Sequence, residues 1–200
     1  DSSESRGLGD VYKRQSIIAQ GEILQLQHRG EVDMLEETYL KIISSKTAEL
    51  FAAATKVGAI LSEMKTKEKE ALEFYGRNLG LTFQIADDTL DYNSELKLFG
   101  KNIGQDFYEG KITLPIILLF QKANKDEKET LKKTFAKEER NQNDLNYTLS
   151  LIKKYDIINS CYQKAKHYIN LSSNSLSVFK DSEEKNILEN LTSFSLSRNF

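Results

Sequence analysis

The sequence predicts an all-α fold, and three observations support that class. Residues with high helix propensity dominate the 200-residue chain, which contains one proline and no tryptophan. Apolar side chains recur about every 3.6 residues along several segments, as they do on the buried face of a helix. A strand pattern does not persist anywhere in the sequence. A chain of this length can bury the core of one sizeable domain.

The apolar periodicity divides the chain into successive helices. Residues 1–15 are rich in serine, glycine and charge, so we expect them to be disordered and unlike the domain that follows over residues 16–200. Within the domain the pattern predicts helices over residues 16–26, 35–64, 67–92, 125–137, 142–153, 157–171 and 182–194. A loop with several glycines, 93–110, precedes a further helix centred on 114–120, and Pro115 suits its first turn.

Composition narrows the class of protein. The formal net charge of −2 gives no bulk attraction for nucleic acid. The single cysteine, Cys161, cannot form an internal disulfide and fits a reducing compartment. No apolar run approaches the length of a membrane span, and the polar N-terminus lacks the apolar core of a signal peptide. We therefore expect a soluble, cytoplasmic protein without a transmembrane segment.

An aspartate-rich segment carries the clearest chemical signal. Four polar residues occur at offsets that share one face of a helix: Gln84, Asp87, Asp88 and Asp91. Three carboxylates held together repel one another, and a hard cation such as Mg²⁺ relieves that repulsion while sharing itself with substrate phosphates. The alternative is a solvated acidic helix face. Apolar neighbours such as Phe83 disfavour it, because burying unpaired charge costs several kcal/mol.

Lysines on either side of this segment are candidates for binding a polyanion. Lys101 and Lys111 each follow a glycine, which lets backbone and ammonium approach a phosphate closely. Upstream, Lys46 and Thr47 offer a cation and a hydroxyl on one helix. Each of these pairs, taken alone, is more often a turn or helix surface with a solvated lysine. Asp106, between the two glycine-lysine pairs, is either a fourth carboxylate of the site or a local cap.

These motifs together resemble the trans-prenyltransferase, or polyprenyl diphosphate synthase, family. Its second aspartate-rich motif, Phe-Gln-x-x-Asp-Asp-x-x-Asp, is matched at residues 83–91. The continuation Gly-Lys-x-x-Gly-x-Asp-x-x-x-Gly-Lys-x-Thr-Leu-Pro is matched at residues 100–115. Residues 21–26 and 39–51 also resemble the long-chain bacterial members, and the likeness extends over residues 16–200.

The resemblance implies the C-terminal part of an isoprenoid-synthase helical bundle and a Mg²⁺-dependent reaction. Such enzymes, usually homodimers, condense an allylic diphosphate with isopentenyl diphosphate to make a polyprenyl diphosphate. It implies that the metal is bound by Asp87, with Asp88 and Asp91 beside it. It implies that the allylic diphosphate is held by Lys46, Thr47, Gln84, Lys101 and Lys111, and that Lys46, Gln84, Asp87 and Lys101 serve catalysis. Peripheral membrane contact for product release is a further expectation.

The family's first aspartate-rich motif lies on a much earlier helix, and no such motif occurs before Ser16. We therefore expect this chain to hold at most half of an active site and to be inactive alone, with a truncated or mis-joined N-terminus.

Two other functions remain open. One is a non-catalytic partner subunit of a prenyl synthase, which the intact metal motif disfavours. The other is a terpene cyclase, which also uses Asp-Asp-x-x-Asp but is disfavoured by the downstream Gly-Lys and Thr-Leu-Pro segments.

Overall fold

The computed structural model describes the backbone of residues 2–93 and 103–197, and the side chains of residues 15–93 and 103–195. Every regular element in these ranges is helical, which confirms the predicted all-α class. The α-helices are α1 (Ser2–Gln27), α2 (Glu36–Ile43), α3 (Glu49–Leu61), α4 (Thr66–Leu90), α5 (Gln105–Glu109), α6 (Leu114–Lys122), α7 (Lys125–Phe135), α8 (Gln142–Lys154), α9 (Ile157–Ser175) and α10 (Glu183–Ser197).

Helix α4 lies at the centre of the bundle and carries the aspartate motif near its C-terminal end. It packs against α3 and α9, and also contacts α6 and α10. The main core includes Ile85 of α4, Leu114 of α6 and Cys161 of α9, all at most 1 % exposed. Cys161 is thus a small core residue. A smaller apolar cluster around Tyr75 closes the other end of α4 against the 3₁₀ turn Leu176–Val178.

Sequence signals explain several helix boundaries. Asn124 and Asn141 accept hydrogen bonds from the first turns of α7 and α8, and an acid three residues later bonds back to each cap. Pro115 lies in the first turn of α6, as predicted.

Two predictions about the helices are wrong. The predicted continuous helix over 35–64 is interrupted by a π-helical turn, Ser44–Ala48, between α2 and α3. Such turns add one residue to the ladder and often occur at functional sites. Helix α1 also begins at Ser2 rather than at the predicted residue 16. Because residues 1–15 contain no proline, the hydrogen-bond ladder of the following turns can continue through them. That they stand apart from the domain stays a prediction.

Glycines let neighbouring helices approach the π-helical turn closely. A Cβ added to Gly21 of α1 would lie 2.9 Å from the backbone nitrogen of Lys46. A Cβ added to Gly80 of α4 would lie 2.6 Å from the Cα of Ala48. Both distances are below ordinary contact, so α1 and α4 hold the turn from two sides. The turn therefore sits between the helix of the aspartate motif and the end of α1.

Candidate active site

A chain of side-chain hydrogen bonds joins α2, the π-helical turn and α4. The Tyr39 hydroxyl donates to Oδ2 of Asp88 at 2.6 Å. Nε2 of Gln84 donates to Oδ1 of the same carboxylate at 2.8 Å. Oε1 of Gln84 in turn accepts from the Thr47 hydroxyl at 2.7 Å. Thr47 and Gln84, predicted to act together, are thus in direct contact and are oriented through Asp88 by a tyrosine of α2.

Asp88 is buried, with 5 % of its surface exposed. Burial raises the pKa of its carboxyl to about 7, the nearby charge of Asp106 adds to this, and the hydrogen bonds from Tyr39 and Gln84 lower it. Near neutral pH the carboxyl is therefore close to the midpoint of its titration. A cation placed beside it would favour the ionised form.

Asp91 connects the aspartate motif to the other side of the glycine-rich loop. Its carboxylate accepts hydrogen bonds from the backbone N–H groups of Gln105 at 3.0 Å and Asp106 at 2.9 Å. Burial raises the pKa of Asp91 to about 6, the charge of Asp106 also raises it, and these backbone hydrogen bonds lower it. The residue therefore anchors the start of α5.

The aspartates of the motif differ in their surroundings, and that all three project to one side stays a prediction. Asp87 is exposed, whereas Asp88 is buried against α2. Successive residues on an α-helix differ by about 100° around its axis, so Asp87 and Asp88 fall on opposite edges of the shared face. Among the described side chains, no group of three or more potential metal-binding histidines, cysteines or acids lies close enough to hold one ion.

Lys46 lies on the π-helical turn and faces α1. Its ammonium donates to Oε1 of Gln25 at 2.8 Å and lies 2.9 Å from Oε2 of Glu22. The close approach of α1 at Gly21 makes both contacts reachable. The ammonium is thus held by two side chains of α1, whereas the neighbouring Thr47 bonds to Gln84 of α4.

Lys111 follows the turn at Gly110 and pairs with two acids. Its ammonium lies 2.6 Å from Glu109 and 3.1 Å from Asp106. Partial burial lowers the pKa of Lys111, but the hydrogen bonds and charges of these two acids outweigh that effect and raise it above its usual range. The lysine therefore stays protonated. Asp106 accordingly pairs with Lys111, and its charge raises the pKa of Asp88 and of Asp91; that it is a fourth carboxylate of the site stays a prediction.

A cavity of about 220 Å³ is bordered both by Lys111 and by the side chains that bind Lys46. It is lined by Glu22, Gln25, Leu26, Arg29, Glu109 and Lys111. Glu22 and Gln25 are the side chains that hold Lys46, so the cavity is lined both by the partners of one predicted lysine and by the second predicted lysine, Lys111. Lys101, the third predicted lysine, lies outside the described residues.

Comparison with known proteins identifies the family to which this arrangement belongs. The model of the family described as Polyprenyl synthetase matches residues 10–152. The chain belongs to the polyprenyl synthetase family. This confirms the resemblance inferred from residues 83–91 and 100–115.

Individual relatives in the family share the fold and much of the sequence. The all-trans-nonaprenyl-diphosphate synthase (geranyl-diphosphate specific) of Rhodobacter capsulatus is 35 % identical over 90 % of this chain and 55 % of its own length. The octaprenyl diphosphate synthase of Escherichia coli (strain K12) is 47 % identical over 51 % of this chain and 32 % of its own. The solved structure of a Caulobacter crescentus CB15 polyprenyl synthase, complexed with calcium and isoprenyl diphosphate, has a TM-score of 0.89 and 35 % identity over 98 % of this chain and 60 % of that one.

This polyprenyl synthetase chain spans about half the length of the Rhodobacter capsulatus relative, 55 %, and its match to the Escherichia coli relative covers 32 % of that protein. None of the helices in the described part of the chain combines the length and apolar character needed to cross a bilayer.

Sequence reasoning missed several residues that build the site of this family member. Tyr39 was matched to the family without a role, because nothing local connects it to Asp88, 49 positions away. Glu22 and Gln25 were matched to the family without a role, and Arg29 was not singled out. Their shared signal is their position in the sequence: Glu22 and Gln25 lie in the last turns of α1, and Arg29 follows two residues after its end.

Proposed function

We propose that this chain supplies the allylic-diphosphate side of a long-chain polyprenyl diphosphate synthase. In that reaction an allylic diphosphate condenses with isopentenyl diphosphate, with Mg²⁺ as the metal. The observation that carries the proposal is the cavity between Lys111 and the side chains that hold Lys46. Membership of the polyprenyl synthetase family supports it.

Both lysines are suited to receive a diphosphate. Each ammonium is now balanced by acids of the cavity wall, Glu22 for Lys46 and Glu109 for Lys111. A diphosphate carries more negative charge than one carboxylate, so it competes for the same cations and adds hydrogen bonds that the acids cannot. Lysine is a compact point charge, which follows a phosphate oxygen without requiring the fixed fork geometry of arginine.

The residues present fit a magnesium ion that is shared with the substrate. Mg²⁺ is commonly bound through one or two carboxylates together with waters and phosphate oxygens, so a closed cage of protein ligands is not required. Asp87 offers an exposed carboxylate. Asp88 and Asp91 each accept two hydrogen bonds, and a carboxylate has about four lone-pair sites, so each retains acceptor capacity. Calcium accompanies isoprenyl diphosphate in the Caulobacter crescentus relative, which supports a divalent cation here.

The chain's own residues would stabilise the departing diphosphate. When bound, the metal supplies positive charge that offsets the charge developing on the leaving group. Lys46 and Lys111 add fixed positive charge, and Thr47 and Gln84 are oriented in advance by the hydrogen bonds through Asp88. Such pre-oriented groups cost no rearrangement when charge develops, which makes them more effective than water.

The matching relatives differ in product length, and the proposal of a long-chain product rests on two of them. The Rhodobacter capsulatus and Escherichia coli relatives make nonaprenyl and octaprenyl diphosphates. Because the chain spans about half of such enzymes, we infer that it holds one wall of the site and that elongation needs a second aspartate-rich motif. Homodimer formation and peripheral membrane contact remain expectations from the family resemblance, and the cytoplasmic location remains an expectation from composition.

Thermal unfolding in the presence of Mg²⁺ and pyrophosphate tests this proposal. A ligand that binds only the folded state at one hundred times its dissociation constant adds about 2.7 kcal/mol of stability. We expect the midpoint temperature to rise only when both Mg²⁺ and pyrophosphate are present, and to fall back when the metal is chelated. An unchanged midpoint in all mixtures would contradict the proposal.

An elongation assay tests the inference of a half site separately. The purified chain is mixed with an allylic diphosphate, labelled isopentenyl diphosphate and Mg²⁺. We expect no robust elongation from the chain alone. Efficient formation of labelled polyprenyl product would refute the inference that a second wall is needed.

A further inference from the structure

Arg140 is a buried arginine packed beneath the turn that leads into Lys111. It is 9 % exposed and precedes Asn141, the N-cap of α8. Its guanidinium stacks over the ring of Phe135, with Cζ 5.6 Å from the ring centroid. A Cβ added to Gly110 would overlap the guanidinium and lie 3.1 Å from its Cζ. The arginine thus touches the turn at the one position where the absence of a side chain leaves room for it.

The guanidinium of Arg140 makes fewer hydrogen bonds than we would expect of a buried group that contributes only to stability. Nη1 donates to the backbone carbonyl of Lys137 at 3.1 Å, while Nε is buried without a partner. Among the described side chains, no carboxylate lies within ion-pair distance of the guanidinium. Burial lowers the pKa of Arg140, and the like charge of Arg29 lowers it further. Replacing a buried charge by apolar residues of similar volume often leaves the free energy of unfolding unchanged or raises it. Stability of the fold alone therefore does not account for an arginine here.

The turn at Gly110, which contacts Arg140, is held by its backbone conformation and by backbone hydrogen bonds. Gly110 has φ of +71°, a conformation that favours glycine. Its N–H donates to the carbonyl of Phe107 at 3.0 Å, and its own carbonyl accepts from Gly30 N–H at 2.9 Å. The N–H of Lys111 donates to the carbonyl of Asp106 at 2.9 Å. A shift of Gly110 would therefore move the next residue, Lys111, within the wall of the cavity.

We propose that Arg140 is a positioning residue for diphosphate binding, and that it acts by holding the Gly110 turn so that Lys111 faces the cavity. This inference rests on the proposed function for its ligand. The guanidinium is rigid and planar, so it fills the space under Gly110 in one orientation. A lysine at the same position would place a flexible stem there and would hold the turn less firmly.

A double-mutant cycle tests the connection between the two residues. Arg140→Met and Lys111→Met are made singly and together, and pyrophosphate affinity is measured by calorimetry with Mg²⁺ present. We expect Arg140→Met to weaken binding about tenfold when Lys111 is present and to have little further effect in the Lys111→Met chain. Arg77→Met controls for the loss of one positive charge. Arg77 lies on α4, pairs with Glu49 of α3 and does not line the cavity.

Two results of the cycle would overturn the inference. In one, Arg140→Met binds pyrophosphate as the wild type does. In the other, it weakens binding equally with and without Lys111, which indicates a direct effect of charge. Failure of the wild type to bind pyrophosphate would contradict the proposed function instead.

Amide hydrogen exchange tests the same inference without any ligand. The N–H groups of Gly110 and Lys111 are expected to exchange faster in Arg140→Met than in the wild type. The unfolding midpoint of the variant is expected to stay close to that of the wild type. Arg140→Lys, which retains the charge, is expected to show intermediate exchange and serves if the methionine variant does not fold. Unchanged exchange at both amides in a folded variant would overturn the positioning role.

Discussion

The hydroxyl of Thr47 donates a 2.7 Å hydrogen bond to Oε1 of Gln84, which joins the π-helical turn to the helix of the aspartate motif. The bond fixes the orientation of the Gln84 amide, because its Nε2 must then face the carboxylate of Asp88. The amide also links two segments that lie 37 positions apart in the sequence. Thr47, Gln84 and Asp88 therefore form one hydrogen-bonded unit.

Removing the Tyr39 hydroxyl is expected to disturb this unit. The Tyr39→Phe substitution deletes the bond to Asp88 and costs about 1 kcal/mol of unfolding free energy, as a typical lost hydrogen bond does. It is also expected to reduce the rise in unfolding midpoint caused by Mg²⁺ and pyrophosphate. Tyr75→Phe is the matched control, since that buried hydroxyl donates to the carbonyl of Leu188 away from the site. An equal loss of ligand response in both variants would show that the effect is only structural.

Replacing Asp87 is expected to affect metal binding without affecting the fold. Asp87→Asn changes an exposed side chain, and substitutions of that kind usually alter stability by less than about 0.5 kcal/mol. The Mg²⁺-dependent part of the response to pyrophosphate should fall strongly. Asp126→Asn, at an exposed position in the first turn of α7, provides the control. A full Mg²⁺ response in Asp87→Asn would remove this residue from the proposed ligands.

Two glycines test the packing of α3 against α4. A Cβ on Gly76 would lie 2.8 Å from the carbonyl carbon of Phe51, so Gly76→Ala forces the helices apart and should lower the unfolding midpoint clearly. Gly58 has open space around its Cα, so Gly58→Ala should stabilise the chain by up to about 1 kcal/mol through helix propensity. Chemical denaturation of both variants measures the difference, and a stabilised Gly76→Ala would contradict the observed helix contact.

Glu127 gives a prediction for the dependence of stability on pH. Its carboxylate accepts hydrogen bonds from Lys154 and Tyr155, which with the cap of α7 lower its pKa to about 2. The unfolded chain binds the proton more readily, so this contribution to stability is present above the usual glutamate pKa and is lost as the pH falls towards 2. Glu127→Gln should therefore lower the unfolding midpoint at pH 7, with the difference shrinking in acid.

Glu129→Gln, on the exposed side of the same helix, controls for the change in net charge. If the midpoint difference between wild type and Glu127→Gln were the same at pH 7 and at acidic pH, the ionised carboxylate would not be its source.

The sequence was sufficient for the features that depend on local pattern. Apolar spacing located the helices that carry the motif, and the predicted helix over 67–92 agrees closely with α4 at Thr66–Leu90. The family of the chain followed from the motif at residues 83–91, and the family model confirms it.

Features that depend on the contact of distant segments could not be predicted in this way. The π-helical turn at Ser44–Ala48 has no glycine or proline to mark it, and it is held by α1 and α4 through Gly21 and Gly80. Asp88 faces Tyr39 rather than its neighbour Asp87, which depends on where α2 packs. Arg140 lies in the charged sequence 137–140, and its burial arises only from its contact with the Gly110 turn, 30 positions away.

Calorimetric titration of the wild-type chain with pyrophosphate, with Mg²⁺ and with the metal chelated, tests the central claim most directly. Lys111→Met is titrated alongside it. The proposal predicts saturable binding with Mg²⁺, a large loss of affinity on chelation, and weaker binding in the variant. Absence of binding in the presence of Mg²⁺, or binding that neither the metal nor Lys111 influences, would contradict a diphosphate site in this chain.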